Sequence, residues 1–169
     1  KQIQSYLTEN QPEDIEHLRF YEDTLLPLIK LYGIEKKFND ICQEKVWLKS
    51  GGFLVIQPTE ALVSIDVNTG KFTEKKKAEE TYRKINLEAA EEIARQLRVR
   101  NLSGIILIDF INMKNPDHNE ELLHVLQKYL RKDPVKAIVH DMTQLNLVEV
   151  TRKKVEKPLS EEIAALQQG

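Results

Sequence analysis

Two aspartates stand in strand-like segments where an acid is out of place. In Ala61-Leu62-Val63-Ser64-Ile65-Asp66-Val67-Asn68, strict alternation puts Leu62, Ser64, Asp66 and Asn68 on one face and Val63, Ile65 and Val67 on the other. Asp66 and Asn68 are therefore neighbours. Asp109 ends Ile105-Ile106-Leu107-Ile108-Asp109-Phe110, the most apolar run of the chain. An unpaired carboxylate there is costly to bury and needs a cation, a hydrogen-bond partner or the open end of a sheet. If the two strands lie close, both carboxylates converge on one hard cation. Mg²⁺ suits such a pair, because it takes oxygen ligands, keeps several waters and is held by one or two carboxylates plus substrate phosphate. Asn68 would then orient the Asp66 carboxylate. The competing reading is that one acid merely ends a strand while the other takes a turn or cap hydrogen bond, and spacing alone leaves both open.

Other reactive side chains offer less. His17, His118, His124 and His140 show no short metal-ligand spacing, and His118 and His124, six apart, do not share a helix face. They read as exposed or capping residues. Cys42 has no polar trigger beside it and reads as a packing residue on a helix face. Ser50-Gly51-Gly52 lacks the Lys and Ser/Thr of a phosphate loop and reads as a hairpin turn. Trp47, alternating with Val46 and Leu48, is either core or a stacking surface, and the pattern favours core. Lys75-Lys76-Lys77 and Arg152-Lys153-Lys154 are short basic clusters of the kind that solvated turns and strand ends carry.

The elements that must position these residues follow from hydrophobic period. Residues 13–31 carry apolar side chains at spacings of three and four, which predicts an amphipathic helix with Pro12 in its first turn and a kink or break at Pro27. A short helix over 34–41 follows Gly33. The period then switches to two over 45–48, 53–57 and 61–67, a strand meander. Tyr82, Ile85, Ala89, Ile93 and Leu97 form one apolar stripe and predict a helix over 76–98. The continuous apolar run 104–108 predicts a strand buried on both faces. A helix opens at Asp117 as N-cap with Glu120 at the third position. Strands at 136–140 and 145–151 and a weak terminal helix over 159–168 complete the order. The fold class expected is α/β (α+β), a mixed sheet with helices packed on it.

The chain has 169 residues, 41% hydrophobic and 31% charged, with a net charge of −2. That size fits one globular domain, or one domain plus part of another, and excludes disorder and low complexity. No apolar stretch approaches the roughly 20 residues needed to cross a bilayer, and no signal segment opens the chain, so a soluble protein of the cytoplasm is expected. With one cysteine, a disulfide framework or Cys-rich zinc site cannot be built within one copy. The balanced charge argues against a strongly basic nucleic-acid platform, though local phosphate contacts remain open. The chain begins at Lys1 and its only methionines are Met113 and Met142, so a piece of a longer protein is expected.

Four blocks in order resemble the ribonuclease E/G family of endoribonucleases: Gly51-Gly52-Phe53 through Thr59-Glu60-Ala61-Leu62 into Ile65-Asp66-Val67-Asn68-Thr69-Gly70; Glu79-Glu80-Thr81 through Asn86-Leu87-Glu88 to Arg98; Gly104 through Ile108-Asp109-Phe110-Ile111; and Leu147 through Lys154. The resemblance implies a DNase I-like catalytic subdomain over 44–155, with 1–43 resembling the end of an RNase H-like subdomain and 156–169 a tail or short helix. It implies that Asp66 and Asp109 hold Mg²⁺, for which Mn²⁺ can substitute, and that Asn68 supports the site. The activity implied is hydrolysis of single-stranded RNA by a metal-activated water, giving 5′-phosphate and 3′-hydroxyl ends, in RNA processing and mRNA decay. Lys136, Arg152 and Lys153 are the candidate contacts to RNA phosphate, and family members often prefer 5′-monophosphorylated, A/U-rich substrates.

The sequence departs from the family pattern in three places. Asn112 stands where many members carry a second acid. No Cys-Pro-x-Cys follows Lys154, so no zinc site is expected in this chain, and a homo-oligomer would have to form otherwise. The family's OB-fold RNA-binding domain and its pocket for the RNA 5′ end have no counterpart here. Against the endoribonuclease stand two readings from other classes: a non-catalytic RNA-binding or scaffold fragment, and a general metal phosphoesterase acting on DNA or small phosphates.

Overall fold

The structure, a computed structural model, describes residues 2–70 and 78–167. The chain divides into two compact units, residues 1–39 and 40–169. The tail at 156–169 falls within the second of them.

In the first unit the local pattern is overridden. Helix α1 (Gln2–Asn10) precedes a 3₁₀ turn at Pro12–His17, and helix appears again only at the single turn α2 (Leu28–Leu31). The amphipathic helix expected over 13–31 is thus absent. Asp23 explains part of the break: its Oδ1 accepts from the backbone N–H of Leu25 at 2.8 Å and of Leu26 at 3.1 Å. Such a local bond offers the backbone an alternative to the helix. Pro27 then has no N–H to give. Helix α3 (Ile34–Ile41) follows Gly33 and runs across the division between the units.

The second unit is built on one sheet of six strands: β1 (Lys45–Trp47), β2 (Phe53–Pro58), β3 (Val63–Asn68), β4 (Gly104–Asp109), β5 (Ala137–Met142) and β6 (Leu147–Arg152), in spatial order β1-β2-β3-β4-β6-β5. The β3–β4 pair is parallel and the other four pairings are antiparallel. Parallel neighbours need a crossover. Helix α4 (Ala78–Val99) lies between β3 and β4 in the chain, and α5 (Pro116–Leu130) between β4 and β5. Helix α6 (Leu159–Gln167) closes the described chain. The expected α/β class with a mixed sheet and packed helices is borne out.

One face of the sheet carries the core. Leu54, Ile56, Val63, Ile65, Val67, Ile106, Ile108, Val148 and Val150 join Ile85, Ala89, Ile93 and Leu97 of α4 and Leu122, Leu126 and Leu130 of α5 in a single buried cluster. The other face is open. The apolar run 104–108 is therefore not buried on both sides: Ile106 and Ile108 are sealed, while Ile105 is 53% exposed. Trp47 also lies on the open side, 65% exposed, and Leu48 is the residue turned inward. The N-cap of α5 is Asn115 rather than Asp117, with Pro116 in the first turn and the Asn115 side chain accepting from the Asp117 N–H at 3.0 Å. The cluster Lys75-Lys76-Lys77 lies outside the described residues.

Candidate active site

Parallel register brings the two aspartates together. Asp66 of β3 and Asp109 of β4 are Cα partners, so their side chains leave adjacent strands, about 4.8 Å apart, on the open face and toward the C-terminal ends. That edge of parallel strands is where α/β sheets present their ligand sites. Both residues are exposed. Burial, with the Asp66 charge adding to it, pushes the Asp109 carboxyl above its ordinary value. Among the described residues neither acid belongs to an ion pair. Like charges set directly opposite on neighbouring strands destabilise a sheet.

Asn68 falls where alternation put it. Its Nδ2 donates to Asp66 Oδ2 at 2.8 Å, which restrains the carboxylate. The segment after Asn68 is held by close backbone approach. A Cβ on Gly52 would lie 2.8 Å from the Asn68 carbonyl oxygen, and one on Gly70, where φ is +68°, would lie 2.4 Å from that of Gly51. Only glycine fits both places.

Helix α4 supplies three clamps whose roles the sequence did not disclose. Asn86, fully buried, donates from Nδ2 to the Ile111 carbonyl at 2.8 Å and accepts from the Ile111 N–H at 3.1 Å, pinning the chain two residues past Asp109. Glu79 Oε1 accepts from the backbone N–H of Lys114 (2.9 Å) and Asn115 (3.2 Å), which draw its carboxyl below the usual range. Glu88 accepts from the backbone N–H of Lys49 at 2.6 Å and of Ser50 at 3.2 Å, on the turn between β1 and β2. Asn112 is exposed between the Asn86 and Glu79 clamps. The signal for Asn86 was present: it shares a helix face with Ala90 and Ile93, which are buried, so a polar side chain there must be bonded.

The basic candidates lie elsewhere. Arg152 pairs in register with Gly104, whereas Asp109 pairs with Leu147, so five residues, about 17 Å of strand, separate Arg152 from the carboxylate pair. Arg152 is not a surface cation. Its side chain is 2% exposed, with Nε on Asp133 Oδ2 at 2.9 Å and further bonds to Asn101 Oδ1 at 2.9 Å and the Leu102 carbonyl at 3.1 Å. It is a structural residue because the inward alternation of Val148 and Val150 continues through it. Lys136 and Lys153 are exposed and adjacent, joined by a 3.0 Å bond from the Lys153 N–H to the Lys136 carbonyl, at that same far end.

Among the described residues no cluster of three or more His, Cys, Asp or Glu side chains converges as a metal cage. The Asp66–Asp109 pair therefore offers two hard anionic oxygen donors and space for water or substrate oxygen. That donor set fits Mg²⁺ or Mn²⁺ and lacks the nitrogen and sulfur donors that zinc favours. No described helix is long and apolar enough to cross a membrane.

The model of the Ribonuclease E/G family matches residues 1–155. Ribonuclease G of Escherichia coli strain K12 is 42% identical over 154 residues, covering 91% of this chain and 31% of that protein. Ribonuclease G of Salmonella typhimurium strain SL1344 is 47% identical over 128 residues, covering 76% of this chain and 26% of that protein. Ribonuclease E of Nostoc sp. strain PCC 7120 is 43% identical over 128 residues, covering 76% of this chain and 19% of that protein. The chain spans between 19% and 31% of the length of these relatives.

Proposed function

Because this chain belongs to the ribonuclease E/G family, we propose that its second unit is the cleavage centre of a Mg²⁺-dependent endoribonuclease. It hydrolyses phosphodiesters in single-stranded RNA, acting in the cytoplasm in RNA processing and decay, and leaves 5′-phosphate and 3′-hydroxyl ends. The observation that carries this is the in-register Asp66–Asp109 pair with Asn68 bonded to one of its carboxylates.

In this reading Asp66 and Asp109 hold the ion between two strand ends. When bound, Mg²⁺ lowers the pKa of a ligated water and neutralises charge on the phosphoryl oxygens, and Mn²⁺ can take its place. Asn68 keeps the Asp66 carboxylate from rotating away. Asn86 holds the backbone beyond Asp109, so the second donor does not drift as the strand enters its loop. The two carboxylates also repel RNA phosphate when no ion lies between them, which makes substrate approach depend on metal. Much of the grip on RNA then comes from parts of a longer chain, including an OB-fold RNA-binding domain, and from a homo-oligomer. Lys136 and Lys153 would serve a phosphate well along the strand from the cleaved bond.

The test is substitution of each acid by its amide. Asp66→Asn and Asp109→Asn each lower Mg²⁺-dependent cleavage of a 5′-monophosphorylated single-stranded RNA by on the order of 10²–10³-fold, with the circular dichroism spectrum unchanged. Mn²⁺ binding followed by electron paramagnetic resonance disappears in both. Full activity or undiminished Mn²⁺ binding in both variants would overturn the assignment.

A further inference from the structure

We propose that Trp47 and Phe53, with Lys45 over their rings, form a stacking shelf for one unpaired base of the RNA strand whose phosphate reaches Asp66 and Asp109. The shelf rests on the reading of that acid pair as a cleavage centre, and it supplies what the pair cannot, a preference for bases that are not in a duplex.

The first observation is exposure. Trp47 is the only tryptophan of the chain and stands 65% exposed on the open face, next to a buried Leu48. A large aromatic surface left in water at a site edge is a contact surface waiting for a flat partner. The Trp47 and Phe53 ring centroids lie 5.3 Å apart with planes at 58°, so the rings brace each other in a tilted contact.

The second is charge. Lys45 Nζ sits 4.2 Å from the Trp47 ring centroid and 3.7 Å from that of Phe53. It forms no ion pair among the described residues. The ammonium thus takes one face of each ring, and a base would stack on the Trp47 surface left in solvent with its phosphate toward the ammonium, the combination that single-stranded nucleic acid uses. An apolar protein side chain would have no use for the lysine, and a free phosphate none for the rings.

The third is register. Trp47, Phe53 and Asn68 form one row across β1, β2 and β3, and Lys45, Val55, Asp66 and Asp109 form the adjacent row on the same face. A groove of about 460 Å³, lined in part by Lys45, Trp47, Phe53 and Asn68, runs from the shelf to the asparagine that holds Asp66. At about 4.8 Å per strand Phe53 lies one strand and Trp47 two strands from Asn68, within reach of a nucleotide neighbouring the cleaved bond. A base kept in a duplex cannot turn onto the rings. Every base has a π face, so the shelf selects strandedness rather than sequence.

Trp47 is its own reporter. With the full 169-residue chain in EDTA, where cleavage is silent, a single-stranded RNA pentamer quenches Trp47 fluorescence saturably. An abasic oligomer with the same number of phosphates, or an RNA duplex, does not. Lys45→Gln weakens the quenching several-fold. In the protein as an active nuclease, Trp47→Ala raises KM about tenfold with kcat nearly unchanged, and Trp47→Phe restores most of the loss. The doubly substituted Asp66→Asn, Asp109→Asn chain keeps the quenching. Quenching without cleavage in the wild type would sink the nuclease reading and leave the shelf standing. Cleavage without quenching, or equal quenching by the abasic oligomer, overturns the shelf. So does a Trp47 emission that shifts to the blue with protein concentration and ignores RNA, because a second copy would then cover the rings.

Discussion

The two ends of the sheet treat charge in opposite ways. At the amino end of β4, the Arg152 and Asp133 side chains are both 2% exposed and bonded to each other, and Asn101 Oδ1 and the Leu102 carbonyl accept from Arg152 Nη1. The buried charges of Arg152 and Asp133 there answer each other within the chain. At the carboxyl end of β3 and β4, Asp66 and Asp109 face each other in register and exposed, and among the described residues only the Asn68 amide donates to one of them. The first arrangement belongs to the fold. The second sets like charges opposite each other, an arrangement that weakens a sheet and that the proposed cation would offset.

Removing one partner at each end shows the contrast most strongly. Asp133→Ala strands a buried guanidinium and costs about 3–5 kcal/mol of stability by urea denaturation. Replacing both partners by apolar residues of similar volume, Asp133→Leu with Arg152→Met, recovers most of that. A loss below about 1 kcal/mol for Asp133→Ala would mean that the pair behaves like a surface ion pair. A smaller effect is expected at the clamp just past the carboxyl end of β4. Asn86→Ala leaves the half-buried Ile111 N–H and carbonyl without their side-chain partner and costs about 1–3 kcal/mol. Faster hydrogen exchange at the Ile111 amide reports the loosening directly, and RNA cleavage falls with it.

The same contrast explains what was legible in the sequence. The stripe Ile85, Ala89, Ile93 and Leu97 was read as a helix face and is one, because it has a sheet to seal against. The pattern at 13–31 was equally periodic, yet Leu25 is 94% exposed and Phe20 87%. Periodicity without a core to bury does not hold a helix. Alternation placed Asp66 beside Asn68, a fact of one strand. It could not place Asp109 opposite Asp66, because strand order and parallel register are settled by the crossover through α4. Arg152 departs from the expected phosphate contact because of its phase along the strand. Val148, Val150 and Arg152 occupy alternate positions of one strand, and the first two are fully buried. At Trp47 the clue was its face-mate Lys45, since a lysine on that face points to solvent.

The smallest expected effect has the opposite sign, and it is the one that only the acid pair can produce. Without divalent metal, Asp66→Asn or Asp109→Asn removes a like-charge contact across β3 and β4, so each variant is more stable than the wild type by up to about 1 kcal/mol. Adding Mg²⁺ raises wild-type stability by RT ln(1 + [Mg²⁺]/Kd), about 1.4 kcal/mol at ten times Kd, and leaves the variants where they were. The two stability curves therefore cross as Mg²⁺ is titrated, a pattern that thermal melts at several metal concentrations resolve. An acid whose role is structural, such as Asp133, gives a variant that starts lower and never crosses. If the Asp66→Asn and Asp109→Asn curves run parallel to the wild type at every Mg²⁺ concentration, the carboxyl end of the sheet is no more a metal site than the amino end.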